Sequence, residues 1–369
     1  MALAQNVWMV LPAITLASAS LCLLLIPVAV KLGWVDQPGP RKLHLEATPM
    51  VGGLAVFLAL LAGMTLTSAF DLTVGSFFLV LIIAAASLLV TGMVDDVRNL
   101  SSTLRFLMQA AACLVMILYG STQLTDFGQL FGAGVLELHW FSVPITVFAA
   151  LGVINSFNLV DGLDGLAGTL FLVAAGGMAL FAAAGGADTM LWFLLVSMCA
   201  VLGFVFLNAR FPWNDRARIF LGDAGSLMLG FLLAWSFIRL GNGPGRVFMP
   251  MTAVWLFAVP LLDTSTLIWQ RWREGKSAFS ADQNHLHHAF LRAGYSVEQT
   301  WLIISAMAIL LAAVGIVFEF SRIPNWLSFY AFMCVAFTYY FYLKHCWASQ
   351  RFLGRHFIHH DFEIEEGYA

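Results

Sequence analysis

The chain has 369 residues, 60% of them hydrophobic and only 11% charged, with a mean hydropathy of +0.85 and a formal net charge of -3. That composition excludes a soluble globule, because repeated stretches approach the ~20 apolar residues that cross a bilayer; the near-neutral charge offers no basic patch for nucleic acid. The expected class is an all-α polytopic integral membrane protein, one transmembrane domain over residues 1–369 with the lipid bilayer as its first partner.

In chain order the apolar runs are Val7 to Val30, Val51 to Phe70, Phe77 to Val94, Leu104 to Tyr119, Trp140 to Phe157, Gly168 to Ala184, Met190 to Leu207, Ala224 to Leu240, Met249 to Trp269, Val297 to Phe318 and Trp326 to Leu343. They predict a bundle of about eleven spans, the fourth and eighth being short. The first lacks the basic region of a signal peptide and reads as a retained span. An odd number of spans puts the termini on opposite sides. All Lys and Arg residues except Arg239, Arg246 and Arg322 then share one face. The positive-inside rule makes that face cytoplasmic and the N-terminus external. The cytoplasmic loops are 31–50, 95–103, 158–167, 208–223 and 270–296; the glycine-bearing segment Ser121 to His139 is an external loop or small hairpin. Neither an internal repeat nor the matched Gly/Pro interruptions of an inverted-repeat transporter is visible. Cys22, Cys113, Cys199, Cys334 and Cys346 have neither metal-ligand nor disulfide spacing and read as packing residues.

Three acidic motifs fall on the cytoplasmic face. Asp95 and Asp96 end the third run, where adjacent carboxylates ask for a metal ion, a cation or a proton, unless they only cap or anchor the helix. In Asn155-Ser-Phe-Asn158-Leu-Val-Asp161-Gly-Leu-Asp164-Gly165 the polar side chains recur at spacing three, so one helix turn or tight loop can gather them on one face. Gly162 and Gly165 there expose backbone N–H groups that suit a phosphate. In Gly222-Asp223-Ala-Gly225-Ser226 the start of a helix favours an anion; Asp223 with Ser226 has the spacing of an N-cap, while Asp223 with an Asn or Asp of the second motif has the oxygens of a hard-cation site. Pro260 is placed to kink the ninth run, tilting its cytoplasmic half over the site, and Asp263 inside that run either functions or pairs with Arg271 or with another helix. His285, His287 and His288 lack an acidic partner in the sequence; they fit donors to phosphate or sugar better than zinc ligands.

Together with Arg41-Lys42-Leu-His44, Pro49-Met-Val-Gly52-Gly53 and the segment Ser280 to Gly294, these motifs resemble, in order and over nearly the whole chain, the polyprenyl-phosphate N-acetylhexosamine-1-phosphate transferases of glycosyltransferase family 4. The resemblance implies a bundle of ten or eleven helices with a cytoplasmic active-site groove. It also implies a reaction in which undecaprenyl phosphate attacks the sugar-bearing phosphorus of a UDP-N-acetylhexosamine, favouring GlcNAc, and UMP leaves. The cofactor would be Mg2+, with Mn2+ as a substitute, held by Asn158 and Asp223. Asp95 or Asp96 would orient or deprotonate the lipid phosphate, with Asp161 beside them. Asp164, Asn208 and Phe220 would bind uridine, while Lys42, Arg105, Arg271, His285, His287 and His288 would meet phosphates or sugar. The family's DDxxK pattern reads Asp95-Asp96-Val97-Arg98-Asn99 here, which passes the lysine's role to Arg98 or Arg105 or leaves it unfilled. The phospho-MurNAc-pentapeptide branch, whose histidines form a contiguous triplet, is the alternative within the family; a cation-coupled transporter is the alternative outside it. A homodimer is compatible with either enzyme reading.

Overall fold

A computed structural model describes residues 2–39, 46–68, 76–211, 214–243, 245–276 and 285–357. Its helices are α1 Ala2–Leu32, α2 Gly52–Ser68, α3 Ser76–Arg98, α4 Ser102–Gly120, α5 Ser142–Val160, α6 Leu166–Ala184 and α7 Asp188–Asn208. They continue as α8 Gly222–Gly241, α9 Pro250–Leu256, α10 Ala258–Arg273, α11 Leu286–Arg292, α12 Val297–Phe320 and α13 Asn325–Phe357. Among the described residues nine helices are long and apolar enough to cross a membrane, ten if α9 and α10 together make one bent span; α2, with 17 residues, is shorter. The protein is therefore an all-α, multi-pass membrane protein.

The short eighth run becomes the centre of the bundle. Helix α8 is buried almost throughout, packed by α2, α3, α5 and α6. Small residues make this possible, since backbones meet directly where no side chain stands between them. A Cβ on Gly92 would lie 2.3 Å from the Ala224 nitrogen, and one on Gly53 would lie 2.4 Å from the Gly225 nitrogen. Farther along, Trp235 packs against Phe193 and Phe78 at ring distances of 5.5 and 6.0 Å.

The ninth run is not one helix. It breaks at Phe257 into α9 and α10, which lie 85° apart. Pro260 supplies the reason: it has no N–H for the Leu256 carbonyl, and its ring crowds that turn, so the first helix stops at Leu256. The expected kink is thus a full elbow.

On the face away from the acidic motifs, Ser121 to His139 forms a small hairpin. Phe127 N donates to Leu136 O, and Leu138 N to Thr125 O. Asn242, just past α8, accepts from Thr125 N at 2.8 Å and donates to Asp126 O at 2.9 Å. Arg246 pairs with Asp126 at 2.8 Å, and Asn325 Nδ2 donates to Phe127 O. The opposite face carries a two-stranded ribbon, β1 Val35–Asp36 against β2 Thr48–Pro49. Pro49 O accepts from Phe220 N while Gly52 and Gly53 donate to Phe220 O and Leu221 O, tying that ribbon to the entry of α8.

Candidate active site

The acidic motifs converge on the start of α8. Gly222 takes φ +72°, open to glycine at little cost, and a Cβ there would press within 2.7 Å of Asp96 Oδ2. Asp96 can therefore accept from Asp223 N at 2.8 Å and from Ala224 N at 3.4 Å. The helix start does attract an anion, but the anion is the protein's own Asp96, and the expected cap from Asp223 to its own helix is replaced by a cap from α3. Freed from capping, Asp223 Oδ1 accepts from Asn158 Nδ2 at 2.6 Å, and Asn158 also donates to Ser226 Oγ at 2.8 Å.

The adjacent acids point to different neighbours. Asp95, 4% exposed, accepts from Leu100 N at 2.7 Å and pairs with Arg105 at 2.8 Å, while Asp96 lines a cavity. Arg105 also lies 3.9 Å from Asp223 Oδ2, so it stands between two acids. Arg98 is exposed, and Arg105 is the cation that serves the pair.

The cavity has a volume of about 380 Å³ and brings together Asp36, Asp96, Asn158, Asp161, Asp164, Asp223, Phe220, Arg210 and His288. Asp161 follows the last residue of α5, and burial, then the charges of Asp223, Asp96 and Asp164, push its carboxyl well above the usual range. Asp164 pairs with Arg210 at 2.8 Å. Asn158, Asp161 and Asp164 of the spacing-three motif meet on this cavity, through the end of α5 and the turn after it. Asn155 turns to Gln109 of α4, donating at 2.7 Å, and stands apart from the cavity.

Asn208 lines the cavity, yet both ends of its amide are engaged: Oδ1 accepts from Gly165 N at 2.7 Å and Nδ2 donates to Ile219 O at 2.9 Å. It fastens the turn before α6, and the Gly165 N–H expected to face phosphate is spent there. The histidines divide. His288 lines the cavity; His287, 3% exposed, sets its Nε2 2.6 Å from where a Gly162 Cβ would stand. Burial, then the neighbouring His288, His285 and Arg292, hold the His287 pKa well below its usual value, so the ring is neutral at pH 7. His285 turns away to Asp263, 2.8 Å distant, which gives the histidines the acidic partner that the sequence did not reveal and takes Asp263 from Arg271. Arg271 is buried at the foot of α10, outside the cavity lining. Lys42 and Ser280 to Asn284 lie outside the described residues.

Asp36, Met50 and Arg210 belong to the lining and were not singled out from the sequence. Asp36 could have been found, since it opens a polar, proline-bearing stretch beside the first span. Arg210 carried no signal beyond its charge. A second, apolar cavity of about 270 Å³ lies between α5, α8 and the α9–α10 elbow, capped by Leu124, Phe127 and Leu130 of the hairpin.

Comparison with known proteins gives the same direction. The sequence profile of "Glycosyl transferase family 4" matches residues 78–241. The chain is 33% identical over 333 residues to an undecaprenyl-phosphate alpha-N-acetylglucosaminyl 1-phosphate transferase of Escherichia coli K12, covering 89% of this chain and 88% of that protein. The like-named protein of Haemophilus influenzae is 33% identical over 343 residues, covering 93% and 96%, and that of Salmonella typhi 34% over 329 residues, covering 89% and 88%.

Proposed function

Because the chain belongs to the polyprenyl-phosphate N-acetylhexosamine-1-phosphate transferases, glycosyl transferase family 4, we propose that it transfers GlcNAc-1-phosphate from UDP-GlcNAc to undecaprenyl phosphate, initiating O-antigen or a related cell-envelope polysaccharide. The carrying observation is the meeting in one cavity of Asp96, Asn158, Asp161 and Asp223, from three separate motifs, beside Phe220 and His288. An oxygen of the lipid phosphate bonds to the sugar-bearing phosphorus. The bond from that phosphorus to UMP breaks, and UMP leaves with the electron pair.

Asp96, at the membrane end of α3 where a lipid headgroup arrives laterally, orients the lipid phosphate and takes its proton at a carboxylate oxygen. Asp95 acts through Arg105, holding the guanidinium beside Asp223 to neutralise phosphate. Phe220 stacks on uracil, Asp164 and Arg210 close the uridine end, and His288 meets the sugar diphosphate with His287 packed beside it on Gly162. The donors suit Mg2+, or Mn2+ in its place: Asp223 would supply a carboxylate oxygen and Asn158, with its amide turned over, a carbonyl oxygen. Among the described residues no three His, Cys, Asp or Glu side chains form a metal cluster, so a bound ion would draw on substrate oxygens and water as well. A bound divalent ion screens the pyrophosphate and the charge growing on UMP. The apolar cavity suits part of the isoprenoid chain.

Product analysis tests this. Purified protein with undecaprenyl phosphate, Mg2+ and a panel of UDP-sugars should release UMP and form a lipid-linked diphosphosugar with UDP-GlcNAc; absence of UMP with every UDP-N-acetylhexosamine overturns it. The excess of Lys and Arg on its side of the bundle supports a cavity at the cytoplasmic face of the bacterial inner membrane. A cysteine at Lys276 should stay hidden from an impermeant reagent in intact cells, and one at Gln129 should react.

A further inference from the structure

Asp263 is buried at 1% exposure, and every donor that satisfies it comes from another helix or its approach. His285 Nδ1 lies 2.8 Å from Oδ2; Leu286 N at 2.9 Å and the Tyr339 hydroxyl at 3.2 Å donate to Oδ1. Burying a carboxylate is costly even when it is paired, and apolar replacements of buried polar groups are often no less stable. Stability alone therefore gives this chain little reason to keep an acid here.

Geometry gives one. Helix α11 has 7 residues, too short to hold itself, and its N-cap residue His285 makes no capping bond with its own side chain. Asp263 supplies that cap from α10 by accepting the first N–H of α11, while Tyr339 of α13 fixes the accepting oxygen from the far side. The restrained helix then places His287 against Gly162 and His288 in the cavity. The three rings follow one another at centroid distances of 5.8 and 4.2 Å, so a shift at His285 reaches the cavity wall through direct contacts.

We propose that Asp263, assisted by Tyr339, is a positioning residue: it pins the start of α11 so that His287, packed on Gly162, holds His288 in a fixed place toward the nucleotide-sugar. This rests on the reading of that cavity as the nucleotide-sugar site. Asp263 touches no substrate; it acts through the histidines. Its loss should loosen ground-state recognition of the UDP-sugar more than it slows chemistry, because Asp96, Asn158 and Asp223 belong to other helices.

The test uses the full-length protein in detergent with saturating undecaprenyl phosphate and varied UDP-GlcNAc. D263N should raise KM for UDP-GlcNAc about tenfold, the scale seen when partners behind a functional histidine are removed, with kcat changed far less. Y339F, which removes one donor and leaves the ring in place, should move KM in the same direction by a smaller factor and keeps the test open if D263N does not fold. H285N added to D263N should have little further effect, since both break one link. Loss of kcat at unchanged KM in both D263N and Y339F, or independent multiplication of the D263N and H285N effects, overturns the proposal. H288A separates the two readings, because His288 is the ring that lines the cavity. An unchanged KM in H288A removes the site reading itself; a raised KM in H288A with D263N and Y339F at wild-type values removes only the positioning role.

Discussion

Helix α8 ends in an acid–asparagine–arginine cluster on each side, and the two clusters differ in how their charges balance. At the hairpin end Asp126 meets Arg246, Asn242 spends both ends of its amide on the hairpin backbone, and Gly128 N donates to the same carboxylate. Burial works against ionisation of Asp126, but the Arg246 hydrogen bond and charge with the Gly128 N–H hold its carboxyl below the usual range. At the other end Asp95 and Asp223 flank Arg105, Asp96 sits on the Asp223 amide, and Asp161 and Asp164 line the same cavity. There burial and neighbouring acids push Asp161 up. The same side-chain types thus make a fastening where charges match and a reactive cavity where acids are in excess, and the surplus is what calls for a cation and a substrate.

The largest break in this comparison should come from D223N. Asn158 can still donate to the amide oxygen of an asparagine, and Asp96 still caps α8, so the protein should fold. Turnover should fall by about 10²–10³, the scale of losing one electrostatic group at a reacting centre. D126N should leave turnover within a few-fold, and assaying both variants side by side checks the contrast. Next in size is packing. G92A drives a methyl into the Ala224 backbone and should cost about 1–3 kcal/mol or more, whereas G241A meets only the movable Phe248 ring and should cost less; thermal unfolding in detergent measures both.

D161N sharpens the electrostatic side. An acid with a raised folded-state pKa destabilises the fold above that pKa, and the penalty fades as pH falls toward ~3.9, where the unfolded chain also binds the proton. The variant should therefore melt at a higher temperature than wild type at neutral and alkaline pH. That advantage should vanish on acidification, and catalysis should be impaired throughout. A wild-type Tm insensitive to this change would remove the idea of surplus acid. The smallest effect belongs to the fastening: R246A should cost about 0.5–1 kcal/mol. Because Asp126 is held low, its contribution is present above ~3.9 and is lost only as pH falls through its depressed value. The protection of the Thr125 to Leu138 amides against hydrogen exchange, relative to their intrinsic rates, should therefore stay flat around neutral pH and fall only in strong acid.

The fold was legible where physics is one-dimensional. Apolar runs found the long helices, because spanning a bilayer demands length and composition and little else. The motif residues Asp96, Asn158, Asp161 and Asp223 were legible as candidates because polar groups at membrane edges need a reason. Their pairings were not legible. Asp96 serves Asp223 across an interval of 127 residues, and His285 finds Asp263 through the elbow at Phe257, whose angle Pro260 announces without fixing. Asn155 and Asn208 shared the composition of the site and proved to be internal fasteners, since an amide can satisfy backbone or neighbour as readily as substrate. The eighth run, like the fourth, looked doubtful as a span because it is short, yet its glycines let α8 sit at the centre.

Where Gly92 faces Ala224 and Gly53 faces Gly225, backbone touches backbone. Elsewhere a family can drift by exchanging one side-chain volume for another, but at these crossings there is no volume to exchange. Any lineage that alters the reaction's sugar or lipid must do so around this three-helix knot, in the loops and in α11, and leave the crossings as they are.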